Sequence, residues 1–325
     1  MGKVVAIALN TFKEAVRNKV LYFLLIFALL IMGFSAVISD LSIASPEKLI
    51  KDLGLASIDF FGFLIAVFVG VYLVYNELDR KTIYTIVSKP IDRTQFLLGK
   101  FFGLLFTIFV NVVIMSFFFF AVLYYREATQ YDVMSKAMYH EISPGKYEQL
   151  MTPTVYYLKA FAMSVGKAAA TLFGYGAHAG ITAGLLKVIL MSALGLSIIT
   201  AFAIFYSTFS TPTLSAVFTS LTFVIGSLCE DIVRYADKLA QKSGGVANLM
   251  GPEKFKYWFA IISVHIVPNL AYFDRRAEAV YGAPDIKAPM TGPPLMDYQT
   301  VIYGICYTAA VLALASVIFR RRNFK

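Results

Sequence analysis

The stretch "ELDRKTIYTIVSKPIDRTQFLLGK", residues 77–100, decides how the rest of this chain is interpreted. It holds five Lys or Arg, three acids and one proline, yet it lies between two long apolar segments. Apolar residues recur at helical spacing on both sides of Pro90, and Asp92 stands at the N-cap position of the second helix. The pattern predicts a charged helical elbow between two membrane spans, pressed against the membrane surface.

The composition places the chain in a lipid bilayer. Hydrophobic residues make up 58% of the sequence and charged residues only 15%, whereas a soluble globular domain has about 25% charged residues. Apolar windows of about 18 residues or more, which cross about 30 Å of hydrocarbon, recur along the chain. We therefore predict an all-α polytopic membrane protein with about six transmembrane helices. The predicted spans are residues 20–38, 58–75, 101–125, 188–206, 212–229 and 301–319.

The basic residues are concentrated in segments that would share one side of the membrane. Residues 1–19, 77–100 and 320–325 together hold 13 Lys and Arg against four acids, a difference equal to the whole net charge of +9. Because cytoplasmic loops carry the excess of Lys and Arg, we expect both termini and the elbow in the cytoplasm. No basic patch is interleaved with stacking aromatics, so we expect no nucleic-acid partner.

The segments outside the spans are expected at the membrane surfaces. Residues 1–19 have the pattern of an interfacial helix, with an ordinary cytoplasmic start to the first span as the alternative. Residues 126–186 and 230–300 are predicted to be extracytoplasmic or re-entrant. Within the former, residues 155–186 leave a surface helix, a re-entrant segment and a seventh span open, and charge placement favours the first two. "SPEKLIKDLGLAS" predicts a short separate helix before the second span.

Three acids near the predicted membrane boundaries are candidates for the transport pathway or its gate. Asp59 opens the predicted second span, and Glu230 with Asp231 closes the fifth. Ionisable groups within a membrane are functional candidates, whereas at an interface they are readily solvated. Both interpretations stay open from the sequence.

Common enzyme signatures are absent from the sequence. The three histidines lie far apart without H-E-x-x-H spacing, and no G-x-S-x-G elbow occurs. Cys229 and Cys306 fall at or within predicted spans and suit apolar packing. We therefore expect no catalytic residue, no cofactor and no metal site in this chain.

Several stretches resemble one family of membrane proteins. "NELDRKTIYTIVSKPIDRTQFLLGKFFG" resembles the first cytoplasmic loop of ABC-2 type permeases, the membrane subunits of ATP-binding cassette exporters. "NTFKEAVRNKVLY" is similar to their N-terminal connecting helix, and "DLGLASIDFFG" to the start of their second span. "SALGLSIITAFAIFYSTFSTPTLSAVFTSLTFVIG" is similar to their fourth and fifth spans, and "IVPNLAYFD" to the segment before their last. The stretches follow the family's order, and residues 126–186 match least.

The resemblance implies a permease subunit of an ATP-driven exporter in a prokaryotic plasma (inner) membrane. Two permease subunits, identical or homologous, would form the pathway. Two copies of a separate ABC ATPase, which binds ATP and Mg, would dock against the loop 77–100. The alternative for its basic residues is that they only satisfy the positive-inside rule and contact anionic membrane lipid. The residues that the resemblance implies for docking are Glu77, Arg80, Lys81, Ser88, Lys89, Pro90, Arg93 and Gln95.

The absence of a phosphate-binding loop from the sequence agrees with a separate ATPase subunit. None of the Gly-Lys pairs has the earlier glycine and the following Ser or Thr that a phosphate-binding loop needs. ATP hydrolysis is therefore expected in a partner chain, and this chain is expected to be a transport subunit and not an enzyme. A membrane-embedded enzyme or a structural scaffold without an ATPase partner stays open as the alternative.

Overall fold

The computed structural model of the protein is built almost entirely of helices, so the predicted all-α class is confirmed. It describes residues 2–39, 45–79, 92–130, 136, 138–143, 146–149, 151–172, 179–243, 250–281 and 297–321. A small antiparallel hairpin, β1 (Tyr139–Ser143) with β2 (Lys146–Gln149), lies in a region where the sequence indicated an exposed loop.

The helices are numbered in chain order. They are α1 (Gly2–Val16), α2 (Lys19–Ser39), α3 (Pro46–Asp79), α4 (Arg93–Ala128), α5 (Pro153–Leu172), α6 (Ala179–Ser207), α7 (Pro212–Ser227), α8 (Cys229–Lys242), α9 (Gly251–Ile266), α10 (Arg276–Tyr281) and α11 (Asp297–Arg321). A short 3-10 helix, Leu270–Phe273, lies between α9 and α10.

Five of these helices are long and apolar enough to cross a membrane, namely α2, α3, α4, α6 and α11. The pair α7 and α8 passes the same test together, although it is bent by 61° at Leu228. The described residues therefore contain five or six candidate spans, which agrees with the expected number. Helix α5 does not meet the criterion, so the described part of the chain offers no seventh span of this kind.

Several helix boundaries differ from the sequence prediction. Helix α3 runs without a break from Pro46 to Asp79, so the short helix expected before the second span is the outer part of that span. Helix α6 begins at Ala179, earlier than the predicted fourth span. The fifth span ends at Ser227, and α8 continues from it at an angle. Hydropathy marks the membrane-spanning part of a helix, whereas backbone hydrogen bonds carry the helix beyond the hydrocarbon.

The second and third spans, α3 and α4, run in opposite directions. Gly54 of α3 faces the ring of Phe119 in α4, and Gly70 faces Leu104, so the two helices are antiparallel. We call the end of the bundle that carries α1, the first turn of α4 and the last turn of α11 the base. We call the opposite end, with α5 and α8 to α10, the crown. Both described ends of the chain lie at the base.

Several hydroxyl groups buried inside the spans are satisfied by their own helices. Thr107 donates to the Gly103 carbonyl oxygen at 2.9 Å, and Thr200 donates to the Leu196 carbonyl oxygen at 2.8 Å. Such bonds remove the cost of an unpaired polar group in hydrocarbon. These polar side chains are therefore compatible with the helices' crossing a membrane.

The segment from Pro268 to Phe273 closes the crown and packs against glycines of three helices. Phe273 is buried between Gly195 of α6 and Gly304 of α11. The preceding Pro268 carbonyl oxygen approaches Gly226 near the end of α7. The 3-10 helix is thus held against α6, α7 and α11.

This packing predicts that Gly226→Ala destabilises the protein. A β-carbon at position 226 would lie 2.7 Å from the Pro268 carbonyl oxygen, so the backbone must move. We expect the free energy of unfolding to fall by about 1–3 kcal/mol, as in other overpacked sites. Thermal unfolding in detergent measures the change. Gly166→Ala is the control, because a β-carbon there meets no described atom within 4 Å, and equal effects of the two substitutions would contradict the packing argument.

Candidate functional site

The closest helix contact at the base joins α1 to the first turns of α4. Gly99 and Gly103 are four residues apart and both face α1. Gly99 lies against Ile7, and Gly103 lies against the Ala8 carbonyl oxygen and the Thr11 side chain. A β-carbon at Gly103 would be 2.6 Å from that oxygen, so the helices approach this closely only because both residues are glycine. Small residues four apart favour this type of helix packing in membranes.

A buried ion pair lies beside the glycines. The Lys100 Nζ is 3.4 Å from the Glu14 Oε2, and the side chains are 2% and 35% exposed. A cation this deeply buried requires a nearby carboxylate, which α1 supplies. Lys100 is one of the five basic residues of the predicted elbow, but its side chain points into the packing between α1 and α4.

The two docking candidates whose side chains the structure describes lie in the first turn of α4. Arg93 Nη1 donates to the carbonyl oxygens of Phe319 and Arg320 at 3.2 Å each, joining α4 to the end of α11. The Gln95 Oε1 is buried and has no hydrogen-bond partner among the described residues. Asp92 occupies the N-cap position of α4 as predicted, but its side chain makes no capping hydrogen bond.

The side chains of the other docking candidates lie outside the described part of the structure. Glu77 lies in the last turn of α3, but its side chain is outside the description. Five further candidates lie outside the described residues: Arg80, Lys81, Ser88, Lys89 and Pro90. The structure therefore brings the two ends of the 77–100 stretch to the base, and the docking role of its residues stays a prediction.

At the crown, Asp59 belongs to a polar cluster centred on Arg276. The Arg276 Nε lies 3.7 Å from the Asp59 Oδ2, and its Nη2 lies 2.7 Å from the Asp274 Oδ2. The hydrogen bond to Asp274 holds the pKa of Arg276 above its usual range, despite partial desolvation. The guanidinium therefore stays charged and links α3 to the segment that closes the crown.

The other two predicted pathway acids begin α8. Arg234 pairs with Glu230 at 3.4 Å and with Asp231 at 3.8 Å, one turn along the same helix. Glu230 and Asp231 line a cavity of about 390 Å³ that Arg276 also lines. Arg276 and Asp59 both line a smaller cavity of about 100 Å³. The structure thus brings all three acids to one part of the crown, although they are far apart in sequence.

The short helix α10 is tied across the ends of two spans. The Tyr281 hydroxyl donates to Asp52 Oδ2 of α3 at 2.6 Å. The Lys187 Nζ of α6 lies 3.2 Å from the Glu278 Oε1. The bond to Asp52 raises the pKa of Tyr281, because the hydroxyl proton is held by the carboxylate. The sequence carries no signal for these contacts, since Asp52 and Tyr281 are 229 residues apart.

The fold and its charged ends define an integral, multi-pass membrane protein. The family model described as "ABC-2 family transporter protein" matches residues 5–324. Because this match spans nearly the whole chain, the protein belongs to the ABC-2 transporter family, and the expected permease identity is confirmed. No curated protein matches the sequence.

The buried ion pair predicts unequal effects from its two partners. Glu14→Gln leaves the Lys100 charge buried without its carboxylate, and we expect the free energy of unfolding to fall by about 3 kcal/mol. Lys100→Met removes the buried charge and leaves Glu14 partly solvated, so its effect should be smaller. The double variant should recover much of the loss caused by Glu14→Gln, and thermal unfolding of the four proteins measures this coupling. Strictly additive effects would show that the pair does not join the helices.

The crown contacts predict that Tyr281→Phe loosens α10. Removal of the hydroxyl breaks the bond to Asp52 while keeping the ring, so local opening should become more frequent. We expect several-fold faster amide hydrogen exchange in α10, measured by mass spectrometry, with the spans unchanged. Tyr235→Phe on the exposed face of α8 is the matched control. Unchanged exchange in α10 would mean that the hydroxyl does not hold the helix.

Proposed function

We propose that this protein is the permease subunit of an ATP-driven ABC exporter, forming the membrane pathway as a dimer and coupled at its base to two separate ATPase subunits. The observation that carries the proposal is the arrangement at the base in a member of the ABC-2 family. There the end of the charged 77–100 stretch that the structure describes with its side chains, from Arg93 to Lys100, contacts α1 and the end of α11. ATP and Mg would be bound by the partner chain.

The base is built to transmit a displacement of the elbow. Any movement of residues 80–91 acts on α4, which begins directly after them. Helix α4 is locked to α1 by the glycine contact and the Lys100–Glu14 pair, and Arg93 joins it to α11. Closure of an ATPase dimer beneath the elbow would therefore move three helices together. Interfaces of this kind shift between discrete packed arrangements and do not deform continuously.

The orientation follows from charge. The segments that begin or end at the base hold 13 Lys and Arg against four acids. The positive-inside rule favours the base on the cytoplasmic side and the crown on the opposite side, and we propose that the membrane is a prokaryotic inner membrane. In this orientation the elbow faces the compartment that contains ATP.

The crown cluster is assigned a gating role on the outer side. Asp59 pairs with Arg276, and Arg276 also lines the cavity that Glu230 and Asp231 line. Movement of α3 relative to the crown would change the distance between Asp59 and Arg276, currently 3.7 Å. The three acids are thus candidates for sensing or controlling opening of the pathway.

The proposal is tested by affinity purification of the tagged chain from its native host in mild detergent, followed by mass spectrometry. We expect a stoichiometric partner that contains a phosphate-binding loop. Its reproducible absence, under conditions that preserve other membrane complexes, would favour the membrane enzyme or scaffold instead.

Charge reversal in the elbow predicts two separable effects. Lys89→Glu should weaken ATPase association several-fold without lowering thermal stability, because its charge would meet the partner. Arg93→Glu should weaken association and also lower the melting temperature, because Arg93 joins α4 to α11. Quantitative co-purification and thermal unfolding measure the two effects. Lys238→Glu, exposed on α8 at the crown, should change neither, and undiminished association of the Lys89 variant would remove that residue from the dock.

A further inference from the structure

An apolar groove runs along the bundle between α4, α6 and α11. Its volume is about 1120 Å³. Its walls come from residues 94–109 of α4, 190–197 of α6 and 301–316 of α11, and almost every lining side chain is apolar. Phe102 and Ile305 on its rim remain half-exposed. The groove is therefore shaped for a long apolar ligand on the lipid-facing side of the protein.

The groove is long enough for an extended acyl chain. From Thr94 to Phe109 the axis of α4 rises about 22 Å at 1.5 Å per residue. On α11 the wall runs from Val301 to Ser316, over most of that span. The groove begins at the base, where the polar ends of the helices lie. A ligand that fills it would therefore lie along the span with its polar end at the base.

The base end of the groove carries two guanidinium groups. Arg320 Nε and Nη2 donate to the Thr94 hydroxyl oxygen at 3.1 and 2.9 Å, and Thr94 lines the groove. Arg320 lies one turn beyond the lining residue Ser316, and Arg93 is adjacent to Thr94. Guanidinium groups bind phosphate oxygens in paired hydrogen bonds.

The start of α4 adds to the positive potential there. A helix N-terminus favours anions, and the side chain of Asp92 makes no capping bond to it. Asp92 is exposed and is the acidic residue next to this site in sequence. The positive charges of Arg93 and Arg320, together with the helix N-terminus, outweigh the single negative charge of Asp92. Basic pockets between spans at the membrane surface are typical binding sites for anionic headgroups.

We propose that this groove is a binding site for an anionic phospholipid of the leaflet at the base. The phosphate would lie at Arg93 and Arg320, and an acyl chain would extend along the apolar wall formed by α4, α6 and α11. The lipid would bridge the first turn of α4 and the last turn of α11, which Arg93 already joins. Its presence would thus stabilise the junction on which the elbow acts.

The test uses native mass spectrometry of the purified full-length chain, titrated with phosphatidylglycerol or phosphatidylcholine. We expect one tightly bound phosphatidylglycerol and about tenfold weaker retention of phosphatidylcholine. Arg320→Gln should abolish most of this preference. Arg126→Gln, at the crown end of α4, should keep it.

A second pair of variants tests the apolar part of the site. Ala309→Phe places a ring in the groove, whereas Ala310→Phe places one on the neighbouring exposed position outside it. Only Ala309→Phe should reduce binding of phosphatidylglycerol, by about tenfold, with both variants folded by thermal unfolding. Equal binding by the two variants would overturn the proposal. Loss of a dimer in Ala309→Phe alone, with lipid binding unchanged, would overturn it in favour of contact between copies of the chain.

Discussion

The close contact between α1 and the glycine face of α4 is the constraint on which the base depends. Gly99 and Gly103 let two backbones approach, and this approach brings Glu14 to Lys100. Without the carboxylate, the lysine would be a buried charge with a large desolvation cost. In the proposed transporter, the same contact would carry a force on the elbow to the membrane spans, because α4 begins where the elbow ends.

The membrane explains why the chemistry of the chain lies at its two ends. Most described side chains in the middle of the bundle are apolar or bonded to their own helix, since unpaired polar groups are costly in hydrocarbon. At the crown, Arg276 gathers carboxylates from separate elements and α10 ties α3 to α6. At the base, Arg93 and Arg320 connect α4 to α11. Each end thus holds a network that couples neighbouring helices.

The local features of the fold were largely predictable, whereas the contacts that join distant segments were not. Hydropathy indicated the spans because each depends on about 20 consecutive residues. It did not indicate that Pro46 and Asp79 lie in one helix, since a helix can extend into water. The pairing of Glu14 with Lys100 joins residues 86 positions apart, and neither position alone carries a signal for it. Asp59 was identified as a candidate by its type, but its partner Arg276 required the tertiary structure.

The central claim, that the elbow docks an ATPase, is tested most directly by site-specific photo-crosslinking in native membranes. A photoreactive amino acid would replace Ser88 in the elbow or, as a control, Tyr157, which is exposed on α5 at the crown. We expect the Ser88 position alone to form an adduct with a protein that contains a phosphate-binding loop. Absence of that adduct from Ser88, or an equal adduct from Tyr157, would contradict the account.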